Sequence, residues 1–118
     1  MVDLDMAKEV LLTVFPEHSM RPISIALIQS EACRFFGISH AELVGGKRSQ
    51  SIVYPRQIAM YLTRELTDLS LPKIGEKFGG RDHTTVMHAT AKIQKLMSEQ
   101  RDVYNQVQQL TNTIKQKN

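Results

Sequence analysis

Apolar residues recur at three- and four-residue spacings along most of this chain and alternate over no useful length, so the pattern predicts helices and no strand. Leu4, Ala7, Leu11, Val14 and Phe15 make one such stripe after Asp3 and stop at Pro16, which predicts a short amphipathic helix. The polar run from Glu17 to Pro22 has prolines within reach on both sides and reads as a hinge. Ser24 is placed to cap a helix on which Ile25, Ile28, Ala32, Phe35 and Phe36 share a face, with Gly37 to end it. Ser39 then begins a short turn of helix through Leu43 and Val44, and residues Gly45 to Ser51 follow as a flexible basic loop. Pro55 fits a first helical turn, and Ile58, Tyr61, Leu62, Glu65, Leu66 and Leu69 trace the helix it opens.

The next two elements are joined more tightly. Ser70 is a good N-cap for a helix running through Leu71, Pro72 and Lys73 to Phe78, and Gly79 supplies the positive-φ residue that ends it. Gly80 and Arg81 complete the turn, and Asp82 is predicted to cap a second helix by accepting an N–H from its first turn. In that second helix Val86, Ala89, Ile93 and Leu96 or Met97 face inward, while Thr85, His88, Lys92 and Lys95 face outward. Two helices joined by a glycine turn, the second starting with polar residues, are the parts of a helix-turn-helix. A last helix carrying Val103, Val107, Leu110 and Ile114 closes the core. The fold class is all-α, a helical bundle bearing a helix-turn-helix.

Composition narrows the picture only in its distribution. At 118 residues the chain suits one compact domain with a modest core. Fifteen Lys and Arg against twelve Asp and Glu give a net charge of +3, which is ordinary for a soluble domain. Residues 47 to 95, however, carry nine basic and four acidic side chains, whereas residues 1 to 46 carry three and six. The positive field sits on the helix-turn-helix, as phosphate binding requires. Cys33, the one cysteine, lies in an apolar helical pattern and reads as a buried thiol in a reducing compartment. With no signal-like start and no apolar run of bilayer length, a cytoplasmic protein is expected.

The start of the second helix offers the chemistry. Asp82 is able to accept from a cytosine amino group, His83 and His88 to donate or accept, and Thr84 and Thr85 to offer a hydroxyl and a methyl. The plainer alternative makes Asp82 a cap only and leaves Thr85 and His88 as surface residues, and on pattern alone the two stand level. A metal site is disfavoured because His83 and His88 are five residues apart and do not share a helix face as an i, i+4 pair does. No nucleophile with a paired base and no carboxylate pair at useful spacing supports an enzyme. Gly45-Gly46-Lys47 lacks the upstream glycine and the following Ser or Thr of a phosphate-binding loop.

Taken whole, the run Leu71-Pro72-Lys73-Ile74-Gly75-Glu76-Lys77-Phe78-Gly79-Gly80-Arg81-Asp82-His83-Thr84-Thr85-Val86-Met87-His88-Ala89, with Tyr54-Pro55-Arg56-Gln57-Ile58-Ala59-Met60-Tyr61-Leu62 upstream, resembles the C-terminal DNA-binding domain of bacterial DnaA replication initiators. The likeness covers about residues 22 to 118 and is densest from Gly75 to Ile93. It implies a Trp-repressor-like helix-turn-helix that binds DnaA boxes in double-stranded DNA at the replication origin. It further implies base contacts from Asp82, His83, Thr84, Thr85 and His88 in the major groove and from Arg48 in the minor groove. Arg56, Gln57 and Arg64 match positions that touch the DNA backbone, and Gln50 stands where a further basic residue is common. Pro72 begins a helix whose amides suit a phosphate, and Lys73 and Lys77 are cations beside it.

The same resemblance makes residues 1 to 21 the end of an ATPase lid and its connector helix, with residues 22 to 118 the DNA-binding domain. ATP, magnesium and contacts between initiator protomers would then belong to an ATPase module outside this chain. An acidic phospholipid contact near the connector and regulatory protein partners are also implied. The rivals are a helical module that docks a protein or an acidic membrane surface, and a nuclease-like enzyme, for which Asp82 stands almost alone.

Overall fold

The computed structural model describes residues 22–118. The predicted stripe from Leu4 to Phe15, the hinge after it, and the assignment of residues 1 to 21 to a lid and connector lie outside the described residues. Those that are described form helices α1 (Ile25–Phe36), α2 (His40–Val44), α3 (Gln50–Leu66), α4 (Leu71–Lys77), α5 (His83–Glu99) and α6 (Arg101–Lys117), with no strand among them. This is the all-α bundle the periodicity predicts.

Local chemistry sets several of the ends. The Ser24 hydroxyl accepts from the Leu27 amide at 3.1 Å, and Gly37 closes α1 with a φ of 69°. At α2, Ser39 and Glu42 form a reciprocal capping box: Ser39 Oγ takes the Glu42 amide at 3.1 Å and Glu42 Oε1 takes the Ser39 amide at 3.0 Å. α3 departs from expectation at both ends. It begins at Gln50, so Pro55 is its sixth residue and not part of a first turn. The missing proline N–H leaves the Ser51 carbonyl without its helical donor, and Ser51 lies exposed at the surface. Ile52, 5 % exposed, gives this extra turn an apolar anchor. At the other end the helix stops at Leu66, short of Leu69. The backbone at Thr67 is extended, and its hydroxyl donates to Thr63 O at 2.6 Å and accepts from the Leu69 amide at 3.2 Å, so a side chain replaces the next helical bond.

The predicted apolar faces meet in one core. Ile28 and Ala32 of α1, Leu43 of α2, Ile58, Ala59 and Leu62 of α3, Ile74 of α4, and Val86, Ala89 and Ile93 of α5 are buried together with Val103, Val107, Leu110 and Ile114 of α6. Each large side chain so buried contributes roughly 1.5–3 kcal/mol. α5 is the central element and packs on α3, α4 and α6, while α1 packs on α3 and α6. Polar pins fix the arrangement: Gln29 Nε2 donates to Lys77 O at 3.0 Å, joining α1 to the end of α4, and the Tyr54 hydroxyl bonds Gln106 Oε1 at 2.6 Å, joining α3 to α6. With one face of α5 consumed by the core, its other face and its leading end remain at the surface.

Candidate nucleic-acid interface

The turn between α4 and α5 is built by three glycines and one phenylalanine. Ser70 caps α4 through the Lys73 amide at 3.3 Å, and the helix runs to Lys77 with Phe78 at its end, fully buried. Gly79 and Gly80 then take positive φ values of 84° and 78°, which an L side chain adopts only under strain. Gly75 has ordinary helical backbone, yet its carbonyl accepts from both the Phe78 amide (3.1 Å) and the Arg81 amide (2.8 Å). The returning chain passes so close that a Cβ on Gly75 would lie 2.1 Å from Arg81 O.

At the start of α5 the site is polar and open. Asp82, His83, Thr85 and His88 are exposed and Thr84 is half-buried, while Lys92 and Lys95 continue the exposed face. Asp82 holds the N-cap position, but its side chain makes no capping bond to the backbone, contrary to expectation. It turns sideways instead: Oδ2 accepts from the Thr84 hydroxyl at 2.8 Å and Oδ1 lies 3.2 Å from His83 Nδ1. The Thr84 hydroxyl first, and then the neighbouring His83, hold the Asp82 carboxyl below its ordinary range; the nearby amides add attraction without closing a bond. The leading end thus presents an ionised carboxylate, two imidazoles and two hydroxyls. Met87, 44 % exposed, adds an apolar contact on the same helix.

The basic loop is shorter and more tightly held than its glycines suggest. Because α3 starts at Gln50, the loop spans only Gly45 to Ser49. Gly45 does not take the left-handed conformation that closes a helix, having a φ of −82°, so the last carbonyls of α2 need other donors. Two arginines provide them. Arg56 donates through Nε to Leu43 O at 2.7 Å, and through its terminal nitrogens to Glu42 O and Lys47 O at 3.0 Å each. Arg81 donates to Val44 O, Gly45 O and Phe78 O. Burial, and for Arg56 the neighbouring Arg81, push both guanidinium pKa values down from their ordinary position. Lys47 Nζ also meets Glu42 Oε2 at 3.1 Å. Arg48 stands exposed on this tethered loop.

Arg56, which the family likeness places against the DNA backbone, is also held from within the protein. It is 5 % exposed and each of its nitrogens donates to a main-chain carbonyl, which uses three of its five N–H groups and leaves one on each terminal nitrogen. Arg81, expected only to complete the turn, is the residue the sequence reading missed. The signal for both was present: a helix ending in Gly45-Gly46 with no further cap leaves several carbonyls needing donors. Of the remaining backbone candidates, Arg64, Lys73 and Lys77 are exposed, and Lys73 pairs with Glu76 at 3.0 Å. Gln57 is partly exposed, its Oε1 buried without a partner. Pro72 is exposed at the head of α4, but proline has no N–H and Ser70 already takes the Lys73 amide, which narrows the helix-end donors to Leu71. Among the described residues no helix is long and apolar enough to cross a membrane.

Residues 25–93, which include α1 to α4, the turn and the first part of α5, match the family model described as the bacterial dnaA protein helix-turn-helix. Among curated proteins, the chromosomal replication initiator protein DnaA of Cutibacterium acnes (strain DSM 16379 / KPA171202) is 55% identical over 115 residues. That alignment takes in 98% of this chain but only 23% of the relative, so the chain spans less than a quarter of that protein's length.

Proposed function

This chain belongs to the bacterial DnaA helix-turn-helix family, and from that premise we propose that it reads DnaA boxes in double-stranded DNA at the replication origin and positions an initiator there. Family membership carries DNA binding; the choice of sequence rests on the side chains that α5 presents. One observation supports it above the rest. α5 buries Val86, Ala89 and Ile93 completely or nearly so, while Thr85, His88, Lys92 and Lys95 on the same helix stay exposed. A helix that spends one face on the core and offers hydrogen-bonding side chains of groove-reading size on the other suits the major groove.

The mechanism has two tiers. Arg64, Gln57, Lys73 and Lys77, with the Leu71 amide beside Pro72, meet phosphates and set register without reading sequence. Asp82, His83, Thr84, Thr85 and His88 then contact base edges in the major groove. Arg48 enters the adjacent minor groove, where negative potential is focused. ATP binding, contacts between protomers and strand opening fall to the longer initiator, in the cytoplasm, and this domain binds without catalysing.

Fluorescence anisotropy with a box-containing duplex and a scrambled duplex at about 150 mM salt, near physiological screening, tests the reading. Preference for the box by tenfold or more, about 1.4 kcal/mol, is the expected result. His88→Ala and Thr85→Ala should each remove about 1–3 kcal/mol of box binding and little of the scrambled binding. Equal, salt-sensitive affinity for both duplexes would reduce the domain to an electrostatic DNA binder.

A further inference from the structure

We propose that Arg56 and Arg81 form a latch that fixes the Arg48 loop, Arg56 to α3 and Arg81 to the turn of the helix-turn-helix, making the two arginines positioning residues for DNA reading. The idea rests on the box reading above and assigns how its two groove contacts are held in register.

The geometry is specific to guanidinium. Arg56 reaches from α3 to carbonyls on both sides of the loop, Glu42 and Leu43 before it and Lys47 within it. Arg81 reaches from the turn to Val44 and Gly45 while also holding Phe78 O, the carbonyl next to Gly79. Between them, successive carbonyls from residue 42 to 45, and that of residue 47, are held by two planar forks. An ammonium is a compact point charge and does not span such a set. The main chains meet directly as well: a Cβ on Gly79 would lie 2.1 Å from Val44 O and 3.0 Å from an Arg81 terminal nitrogen. The loop that carries Arg48 and the turn that launches α5 therefore share one hydrogen-bonded joint. Arg48 itself remains exposed between the Lys47 carbonyl held by Arg56 and the Ser49 carbonyl that opens α3.

A minor-groove arginine on a slack loop loses conformational freedom when it binds, whereas one delivered by an ordered loop has already lost it. Specificity from Arg48 then depends on residues that hold its loop in place. Charge alone does not explain the arrangement, because two cations are brought together, Arg56 buried and Arg81 half-buried.

Two measurements separate the latch from the reading it serves. In the free 118-residue chain, limited trypsin digestion with mass detection reports opening of the loop at Lys47 and Arg48. Arg81→Lys, which keeps the charge but not the fork, should raise cleavage at these bonds about tenfold, corresponding to about 1.4 kcal/mol, with helical circular dichroism unchanged. Unchanged cleavage in both Arg81→Lys and Arg56→Lys would overturn the latch, whatever DNA does. On DNA, Arg48→Ala in the Arg81→Lys background should cost much less box affinity than in the native chain, because the loss has already been taken. Fully additive losses would mean that Arg81 serves the fold alone and the proposal fails. A native chain that does not prefer its box would refute the reading while the trypsin result still decided the latch. Arg81→Ala is the harsher variant, and if it does not fold the two lysine variants carry the test.

Discussion

Asp82 is a carboxylate at the place where DNA phosphates and bases are expected to approach, and it is kept ionised by the Thr84 hydroxyl and by His83. A negative group there repels backbone and is tolerable only where a base supplies a donor, such as the cytosine amino group. Asp82→Asn is therefore expected to tighten scrambled-duplex binding and to erase about 1–3 kcal/mol of discrimination, both read by anisotropy on the two duplexes. Glu42 acts on stability in place of recognition. The Ser39 amide first, and then Lys47, lower its pKa in the folded state. A depressed carboxylate pKa gives stability that is present above the unfolded value and is lost as pH falls through the folded one. Urea midpoints followed downward from about pH 5 should fall for the native chain, and Glu42→Gln should flatten that acid limb. A variant curve parallel to the native one would remove Glu42 from the account.

The helix-turn-helix turn shows what local sequence reveals and what it hides. Gly79 and Gly80 both have positive φ, but a Cβ on Gly80 meets nothing within 4 Å whereas one on Gly79 meets Val44 O. Gly80→Asn should cost about 1 kcal/mol or less, since asparagine accepts the left-handed region. Gly79→Asn should cost at least about 2 kcal/mol, conformation and overlap together, as measured by thermal or urea unfolding. Equal costs would mean that the close approach to α2 is not maintained in solution. The sequence made Gly79 legible, because a helix end followed by a polar start calls for a left-handed residue. It did not make Gly75 legible: propensity alone favours alanine there by roughly 0.5–1 kcal/mol, and only the return of Arg81 forbids it. Capping residues Ser24, Ser39 and Ser70 were readable for the same reason as Gly79, their partners lying three residues away. The inward stripes of α5 and α6 were readable from period. The start of α3 was not, since the helix begins five residues ahead of Pro55 and only the folded chain shows Ile52 buried in that extra turn. The uncapped end at Gly45-Gly46 showed that carbonyls needed donors, but not that Arg56 and Arg81 supply them, because the acceptors lie up to 37 residues away in sequence.

Over the whole molecule, charge counted from sequence overstates charge offered to DNA. Two of the nine basic residues between positions 47 and 95 direct most of their donors to the protein's own carbonyls. Salt dependence discriminates between the two kinds. Arg64→Ala should flatten the slope of log affinity against log salt by about 0.9, the value of one released phosphate counterion. Arg56→Ala should lower affinity for the box while leaving that slope close to native, and a full unit of change would return Arg56 to the phosphate-contacting set. The bundle behind the interface supplies rigidity: α5 is backed by α3, α4 and α6, and the loop is joined to α3 through Arg56 and to the turn through Arg81 and Gly79. With both readers fastened to one frame, the span between them is a property of the protein. Each added base pair advances the duplex by about 3.4 Å and turns it by roughly a tenth of a revolution. The domain then works as a gauge as well as a reader, rejecting a site whose letters are all correct but whose two halves stand one base pair too far apart.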